Sequence, residues 1–531
     1  MAAGFWGSGG PEFKRNSQGR VDVTAGMAST HFRLRPGERV RTARIVLLRY
    51  RGPLIAGHNQ FRQFMFRYIV PRLEGKPIQP PVACNSTAGL WLKSKRTGQP
   101  LGSLTETTEL ALIDKAAKLG CEAYWMDAYW FPQPWWQGNC GNWYPRPDDF
   151  PRGLRPLGDA AHDRGMTFIL WFASLHVAKG TVWARNQPQF IHGGEAGGGW
   201  KLADPQARQF LVDFLTEKAR DWKFDVYRED FGTPLPVDEG PDRIGVAAMQ
   251  QIEGFYEFWS GLRQRNPRMA IDNCSGGGRR IDFETASLAY TLWRSDFNDV
   301  GEGLKDQAHW PMMGLADQVM VTGLSLYFPL HTGPVWDVRP YNFRSAMTAG
   351  IVIYTDIDED KGFSSELARL GIGELKSLRP LWEGDFYPLL PLTTSQRDWY
   401  AYQLDRPDLG EGAVLVFRRP ESPDEARTIR LQQIDPQADY TVSLTGETYE
   451  PGPLTKTRGS ALQEMQVQIG ASPGSSLIRY RRDRDETVSR PDAVHQGRAA
   501  PAAPRVSAPS LSQPPSVLLE LRFPRNREGD R

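Results

Sequence analysis

From Pro81 to Leu375 the chain repeats one pattern, a short apolar run followed by a longer stretch with helical spacing. That alternation limits the available folds more than any other feature. The runs fall at 81–87, 122–130, 166–172, 224–231, 269–274, 290–296, 321–328 and 350–357. Between them apolar residues recur at three- and four-residue intervals, as in 107–120, 203–222 and 245–266. Two of these helical stretches end at Gly or Asn, which suit a helix C-terminus. Eight short strands alternating with helices predict an α/β fold, a parallel (β/α)8 TIM barrel. An open doubly wound sheet is the competing arrangement.

The flanks read differently. Residues 1–80 form a partial N-terminal β region, with short β-type segments from 31 to 80 broken by Pro and Gly. They look like the remnant of a larger β domain. Residues 81–375 are the expected barrel. Residues 376–482 return to strand-and-turn alternation (DWYAYQLD, GAVLVFRR, SSLIRYRR) and predict a C-terminal antiparallel β-sandwich. From 483 to 531 the composition shifts to charge, then to Pro, Ala, Ser and Arg, which predicts a disordered tail.

Charge and composition narrow the function classes. At 531 residues two or three domains are expected. A net charge of +2 with mixed signs gives no support to a nucleic-acid partner. No run is apolar enough to cross a membrane, and no secretory leader is visible, so a cytoplasmic location is the default expectation. The four cysteines make neither a disulfide framework nor a metal-ligand pattern. The 17 tryptophans are unusual, since this side chain either builds a large core or stacks on sugar rings.

The chemistry concentrates at strand ends. In 224–231 the alternation of a strand puts Arg228 and Asp230 on one face and Tyr227 and Glu229 on the other. The same parity in 290–296 pairs Arg294 with Asp296. Two acids over one barrel mouth are what glycoside hydrolysis requires: one stays ionised, the other holds a proton for the leaving oxygen. Salt-bridged Asp–Arg pairs knitting the rim are the plain alternative. The run IDNCSGGGRRID places Gly276 and Gly277 just after a strand, where side chains would block a ligand. It lacks the spacing of a phosphate loop. Asp127 stands among Trp125, Trp130, Trp135, Trp136 and Trp143, a carboxylate among rings that could read a sugar. Trp171, Trp336 and His331 are further pocket candidates, with core packing the plainer role for each.

These motifs together resemble the melibiase-type α-galactosidases, glycoside hydrolase family 36 and its clan, as a divergent member. The similarity covers roughly 31–480 and is strongest over 120–300. GNWYPRPDDFPRGL followed by GMTFILWF is similar to a family stretch. Arg228-Glu229-Asp230 stands at the family's Lys-Trp-Asp motif, CSGGGRRID at its CSGGGGRxD, and Trp293-Arg294-Ser295-Asp296 at its WxSD.

The resemblance implies a retaining double displacement without cofactor or metal, with Asp230 as nucleophile and Asp296 as acid/base. It implies substrate contacts from Asp127, Arg228, Cys274, Gly276, Gly277, Trp293, Arg294 and Trp171. The substrate would be an oligosaccharide or glycoside ending in an α-linked galactose-like sugar, and homo-oligomerisation is open. The sequence departs from the family where galactose is read. The paired acids of DDGW are Asp127-Ala128, GDW is Gly141-Asn142-Trp143, and Arg228 replaces Lys, a bulkier planar cation. Alternatives are an α-N-acetylgalactosaminidase or transglycosylase on this scaffold, or a sugar-binding protein without turnover.

Overall fold

In the computed structural model residues 2–483 are described, except 5–7, 19, 28, 43, 88–103, 135, 233–234, 299–309 and 359–361. The expected tail at 483–531 therefore lies outside the described residues apart from its first position. So does Trp135, with the side chain of Trp136.

The core is a parallel sheet whose ends meet. Its strands are Val82–Asn85, Ala123–Met126, Thr167–Phe172, Val226–Glu229, Ala270–Asn273, Pro334–Val335 and Ile351–Ile353. The first five pair in chain order, and the last pairs back onto the first, Ile351 opposite Val82. Two bridges fill the remaining gap: Asp272 pairs in parallel with Tyr290, and Thr291 with His331. Asn273 N donates to Tyr290 O at 2.8 Å, and Thr332 N to Thr291 O at 2.8 Å. Eight staves therefore close the barrel, the sixth reduced to residues 290–291.

Two expectations for strands are corrected. Residues 321–328 are not a strand. They complete the helix Trp310–Ser325 and the turn after it, and the seventh stave comes later, at 331–335. A short apolar run does not reveal its period. Thr322 also returns its hydroxyl to Gln318 O at 2.7 Å, one helical turn back. The N-terminal region is not all β either, because Leu54–Phe64 is a helix. Its Arg62 is fully buried and donates to Gly384 O at 2.9 Å and Ser325 O at 2.7 Å, fastening the segment to the barrel. His31–Phe32 pairs with Arg243–Ile244, in the loop beyond the fourth strand.

Strand alternation sorts the barrel's side chains. Ala83, Ala123, Trp125, Ile169, Val226, Ala270, Leu292 and Val352 fill the interior. Cys84, Tyr124, Phe168, Leu170, Tyr227 and Ile271 face the helices. Beyond the barrel, six antiparallel strands form a sheet from Asp385–Pro388 to Thr455–Arg458. One face, with Tyr400, Tyr402, Leu415 and Phe417, joins the barrel core. The other, with Trp399, Val414, Val416 and Ile478, packs on the pair Ala426–Ile429 and Met465–Gln468. This is the second sheet of a sandwich.

Candidate active site

Asp230 comes directly after the fourth strand and is buried in the mouth. Its Oδ1 accepts from Phe231 N at 2.7 Å and Gly276 N at 2.9 Å, and its Oδ2 from Trp171 Nε1 at 3.2 Å. The Cys274 thiol also hydrogen-bonds this carboxyl. Burial pushes Asp230 up, but the nearby Arg228 charge and these donors outweigh it and hold the acid below its ordinary value. Trp171 reaches across because register sets it opposite Arg228 on the neighbouring strand.

Arg228 lies in the floor. Its Nη1 donates to Asp272 Oδ2 on the fifth strand, its direct partner in register, and its guanidinium lies 3.9 Å from the Trp125 ring centre. Burial disfavours the charge, but the surrounding negative field, with Asp272, Asp230 and Asp127 in it, raises its pKa further. Asp272 Oδ1 accepts from Leu292 N at 2.8 Å, directly after the sixth stave, and so fixes where it ends.

Asp296 opens a 3-10 turn beyond that stave, on the far side of the glycine loop. Gly276 stands between the two acids. Its N–H holds Asp230, and Asp296 Oδ2 lies 3.4 Å from where a β-carbon on Gly276 would sit. Half-burial raises the Asp296 pKa, and the charge of Asp230 raises it further. Trp293 hydrogen-bonds Asp296 and packs edge-on against Trp125, ring centres 5.6 Å apart. Neighbouring carboxyls are thus driven apart, one toward the ionised form and one toward the acid.

Asp127 ends the second strand. Its Oδ2 accepts from Asn85 Nδ2 at 3.1 Å and its Oδ1 from Ala128 N at 2.8 Å. Burial, against the pull of Arg228, moves it up to about 6. Trp336 also faces the interior, edge-on to Tyr354 at 4.4 Å.

Other expected residues lie elsewhere. Arg294 does not share a face with Asp296. Trp293 takes the interior, so Arg294 points outward, bonding Ala346 O and His331 Nδ1 (3.3 Å) and lying 3.6 Å from Asp317. Strand parity failed because the stave ends at 291 and the chain then turns. His331 is equally buried outside the barrel. Arg294 donates to Nδ1, so the Nε2 proton faces Ser325 Oγ at 3.1 Å. Gly277 does not open space for a ligand: a β-carbon there would come within 2.8 Å of Asp296 N and Ser295 Cα. Trp130 and Trp143 pack into a ring cluster with Phe131, Phe172 and Trp222 behind the mouth.

Three residues of the site are not evident from the sequence pattern: Asn85, Asp272 and Arg280. A signal for Asp272 was present, since it shares the inward parity of Cys274 on its strand. Arg280 was legible only as the second arginine of CSGGGRRID.

Residues 103–317 match the family model described as Melibiase. The chain is 23% identical over 460 residues to α-galactosidase Mel36A of Lactobacillus acidophilus, covering 82% of this chain and 60% of that protein. It is 22% identical to α-galactosidase AgaA of Geobacillus stearothermophilus, covering 78% of this chain and 57% of that one. The chain thus spans about 60% of the length of the curated relatives it matches. Among solved structures, a variant of that AgaA in complex with 1-deoxygalactonojirimycin superposes with a TM-score of 0.74 at 18% identity, over 91% of this chain and 67% of that one. The galactosidase domain of AgaSK gives 0.70 at 19%, over 89% and 64%. These likenesses bear out the barrel-plus-sandwich fold and the resemblance to family 36.

Proposed function

We propose that this chain is a retaining exo-glycoside hydrolase that removes terminal α-linked galactose-like sugars, with 81–375 as its catalytic barrel. One observation carries the reading: Asp230 and Asp296 flank a single glycine, one held ionised and the other pushed toward its protonated form. Double displacement uses carboxyls about 5–5.5 Å apart, so two acids on either side of one residue suit it. Asp230 attacks the anomeric carbon through Oδ2, since Oδ1 is engaged by two backbone N–H groups. The glycosidic bond breaks as Asp296 gives its proton to the departing oxygen. Asp296 then takes a proton from water, which releases the sugar from Asp230. Asp127 and, in the floor, Arg228 take the sugar beside the two acids, with Trp125 buried against Arg228 and Trp171 against Asp230. AgaA variants have been solved with raffinose and with stachyose, which supports an α-galactoside as the first substrate to try.

The two acids set the sign of the pH dependence. Asp230 is ionised from low pH upward, whereas Asp296 stays protonated beyond the ordinary carboxyl range. The kcat/KM profile should therefore be a bell lost at low pH as Asp230 protonates and at high pH as Asp296 ionises. A panel of α-linked nitrophenyl sugars tests the assignment, with NMR reading the anomer first released. Asp230→Ala should lower turnover by at least about 10³-fold while sparing binding. Release of the β-anomer first, or turnover that survives in Asp230→Ala, would refute it.

A further inference from the structure

Arg280 is 1% exposed, and its guanidinium meets four acceptors, all neutral. Nε donates to Asn273 Oδ1 at 3.1 Å, Nη1 to Phe231 O at 3.3 Å, and Nη2 to Glu229 O at 3.3 Å and to Cys274 O. Glu229 and Phe231 are the two residues that flank Asp230. Cys274 is the residue whose thiol bonds the same carboxyl. Phe231, between them, has a φ of +55°, a left-handed conformation that a phenylalanine holds only under external constraint. The cation is itself fixed, with Phe255 and Trp259 rings 4.8 and 5.3 Å away and its own carbonyl tied to Asn273 Nδ2 at 2.7 Å.

We propose that Arg280 is the positioning residue for Asp230: its buried guanidinium clamps the carbonyls on both sides of that acid and the carbonyl of Cys274, and so sets the direction in which the carboxylate faces the mouth. The proposal rests on the reading of Asp230 as nucleophile. A fully buried cation without a direct carboxylate partner is a costly way to hold a loop. It becomes useful where its field also favours a nearby carboxylate. That field reaches both acids at this strand's end: Glu229, which burial still lifts to about 8, and Asp230, which is held below its ordinary value. Among the described residues, the other charged or titratable groups facing Asp230 are Arg228 beside it, Asp127 and Cys140 from the second strand and the loop after it, Asp272 and Cys274 from the fifth, and Asp296 from beyond the sixth. Of these, Cys274 also bonds Arg280, through its carbonyl.

The test uses the full chain as Arg280→Met and Arg280→Lys, with aspartates labelled at the γ-carbon and the Asp230 resonance assigned by its loss in Asp230→Asn. Arg280→Met should lower kcat by about 10²-fold with little change in KM, the size expected of a misplacement near 1 Å. The Asp230 titration, and with it the acid limb of the profile, should rise by at least about one pH unit. Arg280→Lys should keep the titration and regain most of the kcat. If Arg280→Met does not fold, Asn273→Ser, which loosens the guanidinium without removing it, should show smaller changes of the same sign. A folded Arg280→Met, or in its place a folded Asn273→Ser, with an unmoved Asp230 titration or with kcat intact overturns the proposal. A titration that moves in a protein hydrolysing no α-glycoside would instead sink the enzymatic reading and leave the clamp standing.

Discussion

Glu229 and Asp230 are chain neighbours set to opposite protonation states by the two sides of one strand. Glu229 faces the helices, where burial lifts it to about 8 against the Arg280 charge and Ser174, which donates from N and Oγ at 3.2 and 2.7 Å. Its folded value lies above its ordinary 4.5, so the neutral acid contributes stability that is full below about 4.5. That contribution erodes as pH rises and is gone past about 8. Glu229→Gln keeps the acceptor oxygen and cannot ionise. Its stability relative to the parent should therefore climb with pH, by up to about 1.4 kcal/mol per unit across that window. Urea unfolding at pH 5, 6.5 and 8 measures this, and a constant difference would show Glu229 to be ionised throughout. Strand parity made the contrast between these two residues readable in the sequence. The partner of Arg228 was not, because the Arg228–Asp272 register joins positions 44 residues apart.

Among the elements, the glycine loop and the sixth stave depend on each other. Gly277 and Gly278 lie against the backbone of residues 294–296, where β-carbons would stand 2.8 Å from Asp296 N and 2.6 Å from Arg294 O. Their role is to let the segment carrying the acid approach the loop that holds Asp230. Gly277 also has a φ of +82°. Gly277→Ala should cost about 1 kcal/mol or more from the backbone alone. It should also displace Asp296, so kcat should fall further on a galactoside with a poor leaving group than on a nitrophenyl one, where protonation matters less. Equal losses on both substrates would mean that the loop supports the fold but not the acid. The glycines were conspicuous in the sequence. Their reason was not, since close approach of two backbones leaves no mark in either segment alone. The same limit hid the turn after residue 291 and turned Arg294 outward, against the parity of a continued strand. Gly333 completes that arrangement, because a β-carbon there would fall 2.5 Å from Arg294 Nε.

At the scale of the whole molecule the barrel and the sandwich share one core, since the six-stranded sheet gives its Tyr400, Tyr402 and Phe417 face to the barrel. Buried cations also span this boundary, Arg344 among them. Arg344, on the helix Pro340–Ala346, donates to both oxygens of Glu374 at 2.7 Å and to Ser475 Oγ and O at 3.2 and 3.3 Å on a sandwich strand. Its side chain is wholly buried and that of Glu374 is 7% exposed. Arg344→Met would leave Glu374 as a charge without its partner in the interior, which typically costs about 3–5 kcal/mol. Adding Glu374→Gln should recover part of it. Urea midpoints for the parent and the two variants decide the matter. Because the cation ties two barrel helices to a sandwich strand across a continuous core, barrel and sandwich should unfold in one transition in the parent. Arg344→Met should also shift that transition as a unit; a variant in which only the sandwich signal moves would show that the boundary, despite its shared core, does not couple the two halves.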